Sequence, residues 1–279
     1  MSSSSVSSEA VSNASSYPES SLSSSASSSL SNSNSSSVIA TERMITLSPE
    51  LSLAALCYGD PNSSLKILGV HGWVDNAATF ELIVPMLIEL GYYVVNIDLP
   101  GHGKSYHRPP SCYYSAIEYA ANVLEVLENL QWENCVLMGH SLGGGICTVI
   151  ASVLKTHIKG LILIDNLGLS YRPVEDTSKY ILTAVQSKRS LARKNESSFY
   201  NSIEDAINQR IHTATTHPGN QHISREGAER LVLRALIPVD VKVETTYKDG
   251  SSSTITQQKY KFRHDRRIYA LDLQFIGKR

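Results

Sequence analysis

Short apolar runs alternate with amphipathic stretches between residues 44 and 165, and this pattern indicates strands separated by helices. Right-handed helical crossovers between such strands produce a parallel sheet, so we predict an α/β fold class. At the start, the apolar runs 44–47 and 51–58 are separated only by a tight turn and should pair antiparallel. The other predicted strands cover residues 66–70, 93–97, 135–139 and 160–164, and the predicted helices cover residues 79–90, 115–130 and 142–155.

After residue 169 the pattern becomes helical, with three amphipathic segments. Ser202 followed by Asp205 resembles a capping box at the start of the second segment. The later runs 241–247 and 254–262, joined by Lys248-Asp249-Gly250, predict a hairpin. Helices inserted after the sixth strand are typical of a cap over a pocket, and their apolar faces would serve either packing or contact with an acyl chain. Their apolar positions are Tyr180, Ile181, Ala184, Val185, Ile203, Ala206, Ile207, Ile211, Ala228, Leu231, Val232, Ala235 and Leu236.

The first 37 residues differ from the rest in composition, because more than half are serine and none is Lys or Arg. Such a segment has too little apolar surface to offset the entropy of ordering, so we predict a disordered tail. Its composition argues against a mitochondrial presequence or a secretory signal and leaves a plain solvated tail or a phosphorylated, regulatory one. The predicted domains are the tail (1–37), an α/β core (38–168), a cap region (169–268) and the start of a further core segment (269–279).

The charges are balanced, with 25 Lys and Arg against 26 Asp and Glu in 279 residues. This balance gives no reason to expect nucleic acid or an anionic membrane as a partner, and no apolar run is long enough to span a bilayer. The four cysteines, Cys57, Cys112, Cys135 and Cys147, lack the spacing of a metal site. They are predicted to be reduced, which favours an intracellular, cytoplasmic location, and no cofactor is expected.

The segment Gly139-His140-Ser141-Leu142-Gly143 lies between an apolar run and a helix-like stretch. Gly-x-Ser-x-Gly in this setting is typical of a nucleophile elbow, in which the serine occupies a strained strand-to-helix turn. Gly139 and Gly143 fit the need for residues without a clashing side chain on either side of that serine. The sequence therefore predicts that Ser141 is a nucleophile, with its hydroxyl at the positive end of a helix.

Two loops upstream of the elbow complete the predicted site. The strand 66–70 runs into His71-Gly72-Trp73-Val74-Asp75-Asn76, which is the place for a loop that binds an oxyanion. The backbone amides of Trp73 and Leu142 are the predicted donors to that oxyanion. The next strand runs into Asp98-Leu99-Pro100-Gly101-His102-Gly103, whose glycines and proline predict a sharp turn.

The remaining polar residues near these loops fit structural roles better than catalytic ones. His71 and His102 should brace their loops. His140 should pack or form a hydrogen bond beside its strand, and Asp98 should fix the turn that follows it. Asp165 ends the last predicted strand on the side of the site. It is either the acid of a catalytic triad or the cap of the following turn.

Taken together, these segments resemble the α/β-hydrolase superfamily, and within it the serine hydrolase-like (kraken-type) family, from about residue 43 onward. The resemblance implies a serine hydrolase that acts on carboxylic esters or related small acyl substrates. In this superfamily the triad acid and histidine follow later strands, in the order serine, acid, histidine. The resemblance is carried by residues 71–77, 98–103, 139–144, 161–165 and 262–268.

By comparison with that family, the last two core strands and the triad histidine are expected to be missing from the chain. His264 is then the first candidate for a base within the chain. A second hypothesis therefore stands beside the enzyme, namely a catalytically impaired fragment or pseudoenzyme that keeps the pocket. Self-association is also expected, because the strand 160–164 would form an exposed apolar edge of the sheet.

Overall fold

Six strands hydrogen-bond into the central sheet of the protein. The structure, a computed structural model, describes residues 38–166, 168, 170–193, 199–216, 221–246, 252–270 and 274–276. The predicted tail and the turn Lys248-Asp249-Gly250 lie outside these residues. The six strands are β1 (Thr41–Ser48), β2 (Leu51–Tyr58), β3 (Lys66–Val70), β4 (Tyr93–Ile97), β5 (Cys135–His140) and β6 (Ile158–Ile164).

The strands follow the order β1-β2-β4-β3-β5-β6 across the sheet. β1 and β2 form an antiparallel pair, and β2 also runs antiparallel to β4. The pairs β4–β3, β3–β5 and β5–β6 are parallel. The predicted sheet, mostly parallel with an antiparallel pair at its start, is confirmed. The carboxyl ends of its four parallel strands meet at one edge, where ligands bind in sheets of this kind.

Helices cover both faces of the sheet and create two apolar clusters. Leu68 belongs to the cluster beneath the second and third helices, whereas its neighbour Ile67 belongs to the cluster beneath the first. This division follows from the alternation of side chains along a strand. Burial on both faces explains why the parallel strands are continuous apolar runs in the sequence. The three helices are α1 (Val84–Glu89), α2 (Ala116–Leu130) and α3 (Leu142–Val153).

The first predicted helix was wrong in extent. Instead of one helix over residues 79–90, the chain forms a 3₁₀ turn at Ala77–Phe80 and then the short helix α1. Pro85 lies in the first turn of α1, where its missing N–H costs nothing. In the interior of a continuous helix the same ring would clash with the carbonyl of Glu81, so the helix has to restart.

Residues 169–268, the predicted cap region, contain the three predicted helices and the predicted hairpin among the described residues. Asp205 donates its amide to Ser202 Oγ at 3.0 Å, which confirms the cap at the start of the second of these helices. The hairpin begins at Leu236 rather than near residue 241, because the strand follows the third helix directly. Its second strand is also longer than predicted. The helices are α4 (Thr177–Arg193), α5 (Ile203–Thr216) and α6 (Arg225–Ala235).

Two three-residue strands were missing from the sequence prediction. β7 (Ser170–Arg172) opens the cap region, and the hairpin that follows α6 supplies β8 (Leu236–Thr246) and β9 (Ser252–Phe262). β10 (Gln274–Ile276) then pairs in parallel with β7. Strands of three residues are too short for a period to be recognised in the sequence.

Packing accounts for the apolar faces of α5 and α6, whose residues Ala206, Ile207, Ala228 and Val232 form a buried cluster. The apolar face of α4 is different. Ile181 and Val185 on this helix are 58% and 38% exposed, respectively. The packing interpretation is therefore supported for two of the three helices.

We predict that the 279-residue chain self-associates through β6. Within the described ranges β6 pairs only with β5, and Leu161, Ile162 and Ile164 are each more than a third exposed. An apolar edge with unpaired backbone groups is a template for intermolecular strand pairing. Light scattering should show oligomers, and Ile162→Lys should shift the distribution toward monomer. The matched change Ile181→Lys, on exposed α4, should leave the distribution unchanged, whereas a monodisperse wild-type monomer would contradict the prediction.

Candidate active site

Ser141 occupies a strained turn between β5 and α3. Its backbone angles are φ +48° and ψ −114°, outside the regions that a non-glycine residue ordinarily adopts. Its amide donates to the Ile164 carbonyl at 2.9 Å, which ties the turn to β6. Asn166 Nδ2 donates to the Ser141 carbonyl at 2.8 Å. Strain held in place by its surroundings is a feature of functional turns, and here it presents a serine at the start of a helix.

Two glycines make room for this turn. A Cβ at Gly139 would lie 2.5 Å from the Gly143 carbonyl oxygen. A Cβ at Gly143 would overlap the carbonyl oxygen of Val70 and lie 2.7 Å from that of His71. All these neighbours are backbone atoms, which cannot rotate away. The first turn of α3 therefore packs directly on the end of β3 and the start of the loop that follows it.

The loop after β3 passes close to Ser141. A Cβ at Gly72 would lie 3.3 Å from Ser141 Cβ and 2.8 Å from His140 Nδ1. Leu142 is the first residue of α3, so its amide has no acceptor within the helix. Among the described residues, neither the Leu142 amide nor the Trp73 amide donates a hydrogen bond. The segment around Ser141 thus contains two backbone amides that no described residue accepts, and an oxyanion site formed by them stays a prediction.

His71 and His102 are fully buried braces, as their predicted roles require. His71 Nε2 accepts the Leu99 amide at 3.0 Å, and its Nδ1 lies 2.6 Å from the Gly72 carbonyl. His102 Nε2 accepts the Val74 amide at 3.2 Å. Each ring therefore connects the loop after β3 with the turn after β4. Burial lowers the pKa of both imidazoles, so both rings are neutral at pH 7.

Asp98 fixes the turn after β4 and also binds the cap region. Its carboxylate accepts the amides of Ala77 at 2.6 Å and Lys104 at 2.8 Å. Arg234, on α6, donates to both carboxylate oxygens through Nε at 3.0 and 3.1 Å and through Nη2 at 2.7 Å. Asp98 is fully buried and Arg234 is 8% exposed. The turn-forming role of Asp98 was predicted from the sequence, whereas its pairing with Arg234 was not.

A second charge cluster lies beside the elbow. Arg210, on α5, donates through Nη2 to Asp75 Oδ1 at 2.5 Å. His140 Nδ1 lies 3.4 Å from Asp75 Oδ2, which is close for an ion pair but long for a hydrogen bond. Burial alone would raise the pKa of Asp75, but His140 and Arg210 hold it below the usual aspartate value. His140 thus has an electrostatic partner in addition to the packing role that was predicted.

His264 lies in an aromatic group that includes Trp73 of the loop after β3. Its Nε2 is 3.0 Å from the Tyr269 hydroxyl, and Tyr269 packs edge-on against Trp73 with ring centroids 5.5 Å apart. Trp73 Nε1 also donates to the Ile268 carbonyl at 3.0 Å. Burial lowers the pKa of His264 to about 4. Among the described residues, no histidine hydrogen-bonds the Ser141 hydroxyl.

Asp165 directly follows β6, next to the residue whose carbonyl accepts the Ser141 amide. It has a positive φ of +58° and is exposed. Its carboxylate hydrogen-bonds no described residue. Asp165 therefore directly follows the residue that hydrogen-bonds Ser141, but its carboxylate is paired with no base among the described residues.

Described residues of the predicted cap region and of the sheet edge line at least two cavities. The larger has a volume of about 390 Å³, and its lining includes Asp75, His140 and Arg210. The smaller, of about 150 Å³, shares Asp75 and Arg210 with it and is also lined by His264 and Tyr269. Ligand pockets commonly occupy such positions between an inserted region and its core.

The described residues contain no group of three or more His, Cys, Asp or Glu side chains arranged to hold a metal ion. Cys57, Cys135 and Cys147 are buried, Cys112 is exposed, and all four are free thiols. None of the helices in the described ranges combines the length and hydropathy that a bilayer-spanning segment needs.

Known proteins resemble the chain in sequence and in structure. It is 33% identical to a serine hydrolase-like protein of Dictyostelium discoideum over 81% of this chain and 58% of that protein. It is 30% identical to a serine hydrolase-like protein of Danio rerio over 64% of this chain and 54% of that protein. A crystal structure of a hypothetical protein from Pseudomonas aeruginosa aligns with a TM-score of 0.68 and 32% identity, covering 84% of this chain and 74% of that one.

The chain spans little more than half the length of these two curated relatives. Residues 67–209, which include the Ser141 turn, the loop after β3 and α5, match the sequence profile of the α/β hydrolase fold. This match covers half of the chain and contains four of the five segments on which the sequence resemblance rested. The chain belongs to the α/β hydrolase fold family.

Proposed function

We propose that the protein is a serine hydrolase that acts on carboxylic esters or related acyl substrates through Ser141. The observation that supports the proposal is the strained Ser141 turn, close to the loop after β3, together with the backbone amides of Trp73 and Leu142, which donate to no described residue. Backbone donors held in fixed positions stabilise the negative charge that develops on a carbonyl oxygen under attack. The names of the curated relatives agree with this chemistry.

In the proposed reaction, Ser141 Oγ bonds to the carbonyl carbon of the ester and gives up its proton to a base. The oxyanion accepts hydrogen bonds from the two amides, and the bond to the alcohol breaks as the alcohol takes up a proton. Water then attacks the acyl-serine, which releases the acid and restores the hydroxyl. Asp165 stays a candidate acid of the triad because it follows β6 beside the elbow.

An alternative is a catalytically impaired protein that keeps the site without an efficient base. The observation that favours it is the absence of a histidine on the Ser141 hydroxyl within the described residues. His264 is engaged with Tyr269 instead. The two proposals share the nucleophile and differ in the base, so the test must separate these roles.

We expect p-nitrophenyl acetate to acetylate Ser141, and intact-mass and peptide mass spectrometry should locate the acetyl group there. Steady-state hydrolysis by the chain alone should be little faster than that by Ser141→Ala. Added imidazole should then raise the Ser141-dependent rate at least about tenfold, because a general base typically contributes about 10²–10⁴-fold. Subtracting the rate of Ser141→Ala under the same conditions removes the reaction of imidazole with the ester.

Each outcome decides one part of the proposal. Acetylation at other residues only, with no imidazole-dependent difference between the wild type and Ser141→Ala, would exclude Ser141 as the nucleophile. Rapid Ser141-dependent turnover without imidazole would rule out the impaired alternative. His264→Gln would then show whether His264 supplies the base.

A further inference from the structure

The larger cavity has a mixed polar and apolar lining. Asp75, His140 and Arg210 are polar residues of this lining, and His140 directly precedes Ser141 in the chain, although Ser141 itself does not line the cavity. Leu82 and Leu231 are apolar residues of the lining. With a volume of about 390 Å³, the cavity falls within the range of small-molecule sites, about 300–1,000 Å³. An acyl chain of several carbons with one polar end would match this mixture of polar and apolar lining residues.

Arg210 lines the cavity, and some of its N–H groups donate to no described residue. Its only hydrogen bond to a described residue is the one from Nη2 to Asp75. Nε and Nη1 therefore have no acceptor among the described residues, and the side chain is 30% exposed. A guanidinium offers donors in a fixed fork that matches the two oxygens of a carboxylate.

Asp75 is the one carboxylate among the described residues that line the cavity. Its Oδ1 accepts the hydrogen bond from Arg210, and its Oδ2 lies 3.4 Å from His140 Nδ1 without a hydrogen bond. The Asp75 side chain is only 7% exposed. His222 and Gln221 also line the cavity and can donate hydrogen bonds. The charged donors Nε and Nη1 of Arg210 are therefore available to an anionic, oxygen-rich ligand group.

We propose that this cavity binds acyl substrates that carry a second, free carboxylate, with Arg210 as the residue that recognises it. The inference rests on the proposed function, because it takes the ligand to be an ester whose acyl chain ends in a carboxylate. It adds a substrate class to that function, namely the monoesters of dicarboxylic acids.

Calorimetric titration of the Ser141→Ala protein tests the proposal without turnover. The probes are monoethyl glutarate and ethyl pentanoate, which have the same chain length and differ in having a carboxylate or a methyl group at the end. We expect the acid to bind at least about tenfold more tightly, since a charged hydrogen bond is worth about 1.5–3 kcal/mol. Adding Arg210→Met should reduce the preference to within about threefold.

Arg210→Met leaves Asp75 buried without its partner and could unfold the protein. The double change Asp75→Asn and Arg210→Gln replaces the ion pair with two amides and should fold while losing the preference. Arg230→Gln, at a half-exposed position of α6, is the matched control and should keep the preference. Equal binding of the two probes, or a preference that survives the double change, would overturn the proposal.

The outcome is independent of the test of Ser141. Acetylation of Ser141 by uncharged p-nitrophenyl acetate together with equal binding of the two probes would reject the substrate class and keep the nucleophile. A carboxylate preference that depends on Arg210, without acetylation of Ser141, would reject the nucleophile and keep the binding site.

Discussion

Arg234→Ala should lower the free energy of unfolding by about 3–5 kcal/mol, the usual cost of removing one partner of a buried ion pair. The change leaves the Asp98 carboxylate fully buried with only the amides of Ala77 and Lys104 as donors. It also removes a contact between Arg234 Nη1 and Glu42 Oε1 at 3.1 Å, and with it a link to β1. Urea unfolding followed by circular dichroism measures the loss.

Arg230→Ala is the matched control for this experiment, because it removes an arginine from the same helix. Arg230 is half exposed and pairs with Glu81 and Glu226 at 3.4 and 3.3 Å. Exposed pairs of this kind are worth about 0–1 kcal/mol. Equal losses of unfolding free energy in the two variants would show that Arg234 does not offset the cost of burying the Asp98 carboxylate.

Gly143→Ala should cost at least about 3 kcal/mol, at the upper end of what overpacking a filled interior costs. The added methyl group would overlap the Val70 carbonyl oxygen, which belongs to a central strand. Relief requires α3 to move away from the sheet, and that movement would carry Ser141 away from the Trp73 amide. We therefore expect a lower free energy of unfolding in urea and slower acetylation of Ser141 by p-nitrophenyl acetate.

Gly160→Ala provides the comparison, since it adds the same methyl group to another strand of the sheet. Its nearest neighbour there would be Val136 Cγ2 at 3.7 Å, an ordinary contact. A glycine in a strand is less favourable than alanine by about 0.5–1 kcal/mol, so this variant should be as stable as the wild type or slightly more stable. A similar loss in both variants would refute the close packing of α3 on β3.

Local sequence signals were sufficient to predict most elements of this fold. The parallel strands are apolar runs, and Ser141 lies in a motif whose glycines are typical of a tight strand-to-helix turn. Pro85 was visible in the sequence and marked the break that the predicted helix 79–90 ignored. That error came from giving the apolar period more weight than the proline.

The charge clusters could not be located in the same way, because they join residues that are far apart in the chain. Asp98 and Arg234 are separated by 136 positions. The sequence did contain one sign that Arg234 is buried. Arg234 lies three positions after Leu231 and next to Ala235, on the face of α6 that the apolar residues mark as buried. A charged residue on a buried face predicts a buried partner, but only the fold shows which one.

The ion pair between Asp98 and Arg234 also bears on how the protein is assembled. During synthesis the strands and helices up to residue 166 emerge first, and in that state Asp98 lacks Arg234. A buried carboxylate without its counterion opposes compaction, so we expect this part of the chain to stay loosely folded until α6 arrives. We therefore expect the folding of the sheet to depend on the predicted cap region. Transplanting the cap region onto another core would require the acidic partner of Arg234 to move with it.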